Sequence, residues 1–230
     1  MGKNLRQQRR GRGTPRYRSP SHRYIGNISY ANMPATGGGK VVDIFHAPGR
    51  HLPVAVIELN GKKSLMIAAE GTNTGAVMTN SLDSGNVMKL KDIPEGSKIH
   101  NIELRPGDGG RLCRTSGTFA VMTSREGNKC TILMPSKEKK IFPADCLATI
   151  GTASAGGRGE KPFRKAGTKH YAMKAMNRLY PHVCGVSMNA CNHPFGGQTR
   201  PGKVKTVSRH MPPGKKVGSI SPRRTGRRKV

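Results

Sequence analysis

Apolar residues fall in short, closely spaced runs between Val41 and Gly151 and lose any period on either side of that span. VVDIF at 41–45 is of strand length, and APGR turns after it. LPVAVIEL and KKSLMIAA flank Asn60-Gly61, a dipeptide that tolerates the positive φ of a two-residue hairpin. EGTNTG turns again, and AVMTN and GNVMKL are two weaker strand patterns before the break at Pro94. A second series follows: SKIHNIEL, the turn RPGDGG, GTFAVMTS, the turn REGN, KCTILM, the turn PSKEKK, then KIFP and CLATIG. Short strands at even spacing predict two small β-barrels. Each is near the size at which a single core barely suffices, so the two are expected to pack together. No internal repeat relates them, which predicts two different folds.

The flanks read differently. Residues 1–39 alternate Arg with Gly, Pro, Ser and Tyr, as an extended arm that ends at Gly37–Gly39. Beyond GTASAGGRGEKPFRKAG, TKHYAMKAMNRLY predicts one short helix from Thr168 to about Tyr180, stopped by Pro181. After it, Gly and Pro scatter without a pattern. The expected organisation is a basic arm over 1–39, barrels over 40–95 and 96–160, and a helix with an extended basic segment over 161–230.

Charge sharpens this division. Residues 1–40 hold nine Lys and Arg and no acid, 41–160 hold fifteen with all twelve acids, and 161–230 hold seventeen and no acid. Like-charged segments poor in large apolar residues cannot bury enough surface to offset chain entropy. Both ends are therefore expected to order on a polyanion. A membrane surface fits poorly, because no apolar run approaches a bilayer span and no basic helix has an apolar face. Nucleic acid fits, through phosphate neutralisation and counterion release. Coating DNA as a general compactor would use the tails alone, whereas two barrels with arginines on their turns favour shaped recognition of RNA.

Five dispersed cysteines and an Arg-rich start without an apolar core indicate a reduced, cytosolic setting rather than secretion. An organelle transit peptide or a nuclear signal is the alternative reading of that start.

The segment NHPFGGQTRPGK at 192–203 has neither helical nor strand periodicity and is expected to pack against RNA. A lone histidine such as His193 invites a catalytic reading. A general base needs an orienting partner, and 161–230 contains no carboxylate. His182, Cys184, Cys191 and His193 offer four metal donors spaced H-x-C-x6-C-x-H, which is not a common zinc-finger spacing. GDGG at 107–110 and GGRG at 156–159 match no phosphate-loop fingerprint and are read as tight turns or close backbone approaches. No metal, cofactor or enzymatic activity is expected. Arginines grip phosphate and stack on bases, which makes Arg12, Arg16, Arg18, Arg23 and Arg200, with Lys165 and Lys203, the candidate backbone contacts. Tyr17, Tyr24, Tyr30 and Phe195 are candidate stackers for unpaired bases.

The stretches RGRGTPRYRSPSHR, HNIELRPGDGGRLCR, CLATIG, RKAG and GVSMNACNHPFGG, in this order along the chain, resemble the universal family of ribosomal large-subunit protein two. The arm and Phe195 resemble its archaeal and eukaryotic cytosolic branch. The resemblance implies an oligonucleotide-binding (OB) barrel followed by an SH3-like barrel, flanked by RNA-penetrating extensions. It implies a structural role on large-subunit ribosomal RNA beside other large-subunit proteins, in subunit association and the peptidyl-transferase region, on cytoplasmic ribosomes. A contact with the small subunit at the subunit interface also follows. It carries RNA contact onto Arg50 and Arg114, and the family's histidine onto His193. The alternative is direct participation of His193 in peptide-bond formation. Here Phe195 stands where the bacterial-type pattern has a second His, and no acid follows, which removes a carboxylate partner.

Overall fold

The computed structural model describes residues 3–30, 38–197 and 205–224, so Arg200 and Lys203 lie outside the described residues. The chain divides into a middle unit, Ser21–Arg164, and a unit made of both ends, Met1–Pro20 with Lys165–Val230.

In the middle unit, Asn60 and Gly61 take φ of 50° and 72° and close the expected hairpin. The hairpin joins β2 (Pro53–Leu59) to β3 (Lys62–Ile67) with Leu59 opposite Lys62. β1 (Lys40–His46) pairs antiparallel with β2, and a register shift between Val41 and Asp43 bulges out Val42. The weak AVMTN pattern becomes a short paired segment beside β1. Met78 N–H donates to Gly39 O and Val41 N–H to Ala76 O, at 2.7 and 2.8 Å.

A six-stranded sheet follows, built from β4 (Val87–Lys89), β5 (Lys98–His100), β6 (Ala120–Glu126), β7 (Lys129–Leu133), β8 (Lys139–Pro143) and β9 (Leu147–Ile150), in spatial order 4-9-5-6-7-8. β5 to β8 form a meander, and β9 returns to pair antiparallel with both β4 and β5. The sheet therefore curls around a core that includes Leu90, Ile99, Ile102, Met122, Ile132 and Phe142. REGN proves to be only partly turn: β6 runs on to Glu126, and Gly127 at φ 55° takes the positive-φ position of the loop. The architecture is mainly β, in keeping with an OB barrel followed by an SH3-like barrel.

SKIHNIEL alternates over eight residues, yet only Lys98–His100 is strand. Asn101 leaves the strand at φ 50°, and the fully buried Glu103 turns inward. Its carboxylate accepts hydrogen bonds from Gly109 N–H and Leu147 N–H, both at 2.9 Å, and from Gly107 N–H at 3.3 Å. The RPGDGG turn is thereby tied to the start of β9. Gly110, at φ 84°, lies so close to Asn101 that a Cβ would strike that residue's carbonyl and amide oxygens. Tyr30 completes the cluster, its hydroxyl lying 2.8 Å from Asn101 O and 2.6 Å from Thr149 Oγ1. Burial raises the Tyr30 pKa far above its ordinary value.

The end unit has little of its own to bury. Among its described residues, only Leu5 and Val217 are buried apolar side chains. It contains α1 (Arg6–Gly11), α2 (Ala166–Ala175) and a parallel pair of two-residue strands, β10 (Thr206–Val207) and β11 (Ser219–Ile220). α1 lies in the arm read as extended, and its first turn is fixed by Leu5 N–H donating to Gln8 Oε1 at 2.8 Å. α2 stops well before Pro181. Asn177 takes φ 55°, and Asn177 N–H and Arg178 N–H donate to Lys174 O and Met173 O at 3.1 and 2.8 Å, a Schellman closure.

Glu103→Ala would orphan the Gly109 and Leu147 N–H groups, each worth about 1–3 kcal/mol when left buried, while the exposed Gly107 N–H can turn to water. In urea unfolding of the full chain it is expected to cost about 3 kcal/mol or more. Ile141→Thr, on the exposed edge strand β8, is expected to change stability by less than about 0.5 kcal/mol. Equal stabilities for the two variants would contradict the role given to Glu103.

Candidate nucleic-acid interface

Twenty-two Lys and Arg and no Asp or Glu belong to the end unit, against nineteen Lys and Arg and all twelve acids in the middle unit. The end unit folds part of this charge around a cleft of about 680 Å³. Its lining includes Arg6, Arg9 and Arg10 of α1, Arg16 and Tyr17 from the N-terminal segment, and Leu179, His182, Val183, Met188 and His193 from the C-terminal segment. Arg6, Arg9 and Arg10 are spaced i, i+3, i+4, which places them on one helical face. Lys3 N–H donates to Cys191 O at 2.8 Å, tying the arm to the C-terminal segment.

Among the described residues, the segment around His193 makes many hydrogen bonds to its own backbone. Ser187, Met188, Asn192, Gly196 and Gly197 N–H groups donate to carbonyls of Cys184, Gly185, Asn189, His193 and Met188, at 2.9–3.2 Å. A Cβ on Gly185 would collide with the His193 ring, so glycine lets that ring settle on the backbone. The His193 and Phe195 rings lie 5.1 Å apart, tilted by 58°. Phe195 N–H donates to His193 Nδ1 at 3.0 Å. That bond engages the Nδ1 lone pair, so the neutral ring carries its proton on Nε2 as a donor.

Of the other predicted residues in this unit, Arg12, Arg16, Arg18 and Lys165 are exposed. Arg18 Nε donates to Gly13 O at 2.6 Å. Lys165 is the residue before α2. Phe195 is half-buried, its ring packed close over Gly218, which limits it as a stacking platform.

In the middle unit, Arg23 is exposed. Arg50 donates to Gly26 O at 3.2 Å, and Arg114 to Gly110 O at 2.8 Å and Ile28 O at 3.3 Å. Both guanidiniums clamp residues 26–28 onto the rest of the middle unit. Burial lowers the pKa of each, and the charge of Arg50 lowers that of Arg114 further. Tyr30 is a buried core residue rather than a base stacker, and the Tyr24 ring packs against Gly49. Among the described residues, no group of three or more His, Cys, Asp or Glu is placed to hold a metal ion.

Arg6, Arg9 and Arg10 were not among the residues expected from sequence, and His182 entered there only as a metal donor. The helical spacing of the three arginines was the available signal, hidden by reading the arm as extended.

Residues 83–216 match the family described as Ribosomal Proteins L2, C-terminal domain. Over the full length of both chains, the protein is 49% identical to large ribosomal subunit protein uL2 of Methanothermobacter thermautotrophicus and 47% identical to that of Archaeoglobus fulgidus. The chain belongs to the uL2 family. To the uL2 protein of Natronomonas pharaonis it is 45% identical, over 99% of this chain and 97% of the relative. The end-to-end match extends across both ends that bear the unopposed charge, beyond the region matched to the family's C-terminal domain.

The His193 tautomer can be read directly. Long-range ¹H–¹⁵N spectra above the ring's titration range are expected to show the Nε2-protonated form. A ring protonated on Nδ1 would contradict the bond from Phe195.

Proposed function

We propose that the chain is a structural constituent of the large ribosomal subunit that binds large-subunit ribosomal RNA. The observation that carries this reading is the end unit, which has twenty-two cations, no carboxylate and, among its described residues, two buried apolar side chains. Such a unit is held by a phosphate scaffold, since it has neither a core nor counter-charges of its own. Full-length similarity to archaeal uL2 proteins supports the same assignment, and the place of action is then the cytoplasmic ribosome.

In this reading Arg12, Arg16, Arg18, Arg23, Lys165, Arg200 and Lys203 contact the RNA backbone. Arg50 and Arg114 act chiefly by fixing the arm's exit from the middle unit while adding positive potential there. His193 donates from Nε2, and Phe195 sets its ring. Neighbouring large-subunit proteins, a small-subunit contact and support of the peptidyl-transferase region complete the proposal. The role is architectural. The Nδ1 lone pair, which a neutral imidazole would use as a base, is already engaged by the Phe195 amide, which supports an architectural part for His193.

Competition at matched salt tests this reading. Large-subunit RNA is expected to displace labelled RNA from the full chain at far lower concentration than duplex DNA of equal charge. Arg12→Ala and Arg16→Ala are each expected to reduce the log K against log salt slope by roughly 0.7–0.9 per lost contact. Equal competition by DNA would favour a general compactor instead.

A further inference from the structure

We propose that the cleft of the end unit receives a single unstacked nucleotide, with Tyr17 stacking on the base and Arg6, Arg9, Arg10 and Arg16 holding its flanking phosphates. This rests on the ribosomal-RNA reading and makes it specific. The cleft's volume of about 680 Å³ falls in the range of sites that enclose one small molecule, about 300–1,000 Å³. It exceeds what a phosphate alone would fill, and a paired helix has no single residue to put into a concave site.

The lining separates into two chemistries. The α1 side brings guanidiniums, which fork onto phosphate oxygens, and no carboxylate of the unit competes for them. Arg9 Nε is turned to Asn4 O at 3.1 Å, and Arg6 reaches Val183 O only at 3.5 Å, a long contact between the N- and C-terminal segments. The C-terminal segment contributes Leu179, Val183 and Met188 to the lining, apolar surface against which a base can lie. Tyr17 is half-buried at the cleft with its backbone pinned by a hydrogen bond from its N–H to Thr14 O at 2.9 Å. An aromatic ring carried on a fixed backbone at the cleft offers a sequence-tolerant stacking face. His193, with its Nε2–H, adds a donor at the same wall. Phosphate grip beside a stacking ring and an apolar wall fits a nucleotide that has left its helix.

Two RNA hairpins of equal length and charge test the assignment, one with a single unpaired nucleotide and one fully paired. Adenosine 5′-monophosphate serves as the free-nucleotide arm. The full-length protein is expected to prefer the bulged hairpin by roughly 5- to 100-fold, the range of one base–aromatic stack. Tyr17→Ala is expected to bring the two hairpins within twofold of each other, and Tyr17→Phe to restore the preference. Equal affinity of the unmodified protein for both hairpins, or a preference that survives Tyr17→Ala, would overturn the proposal while leaving ribosomal-RNA binding intact. Adenosine monophosphate competing as well as the bulged hairpin would overturn RNA as the source of the nucleotide. Loss of RNA preference over DNA would instead sink the reading on which the proposal rests.

Discussion

Positive charge without a counter-ion is the constraint from which the rest of this molecule follows. Twenty-two Lys and Arg share the end unit with no acid, and the described part of that unit buries the side chains of Leu5 and Val217 alone among its apolar residues. Apolar burial there cannot outweigh both self-repulsion and the entropy of ordering some eighty residues. On the proposed reading, phosphate meets the deficit by neutralising the arginines and by supplying hydrogen-bond acceptors.

The middle unit obeys the opposite logic. It keeps all twelve acids, and it uses one of them, Glu103, as an internal anchor for backbone amides of the 107–109 turn and of Leu147. Tyr30, Arg50 and Arg114 then fasten residues 26–30 of the arm to that framework. Arginine serves both purposes because its several donors can satisfy backbone carbonyls as well as fork onto phosphate, so residue type alone does not tell clamp from RNA contact.

That ambiguity explains what was legible from the chain. The hairpin at Asn60-Gly61, the strand runs and the close approach at GDGG were readable, because each rests on a local backbone demand. α1 was hidden, since RQQRR within a Gly- and Pro-rich arm reads as extended until Gln8 is seen to cap Leu5. Tyr30 read as a stacker because nothing local reveals that Asn101 and Thr149, more than seventy residues away, bury its hydroxyl. The expected helix ran past its end because Asn177 supports the left-handed turn that closes it. The segment around His193 was recognised as irregular, but its internal hydrogen bonds depend on Gly185 admitting the ring, a steric fact invisible in spacing.

The central claim is that the ends depend on phosphate and the middle does not. Hydrogen exchange of the full-length protein, free and bound to large-subunit ribosomal RNA at physiological salt, measures this directly. Amides in 3–20 and 165–197 should gain protection by at least tenfold on binding, while those of the six-stranded sheet stay unchanged. Slow exchange in those end segments of the RNA-free protein, matching the bound state, would contradict the account.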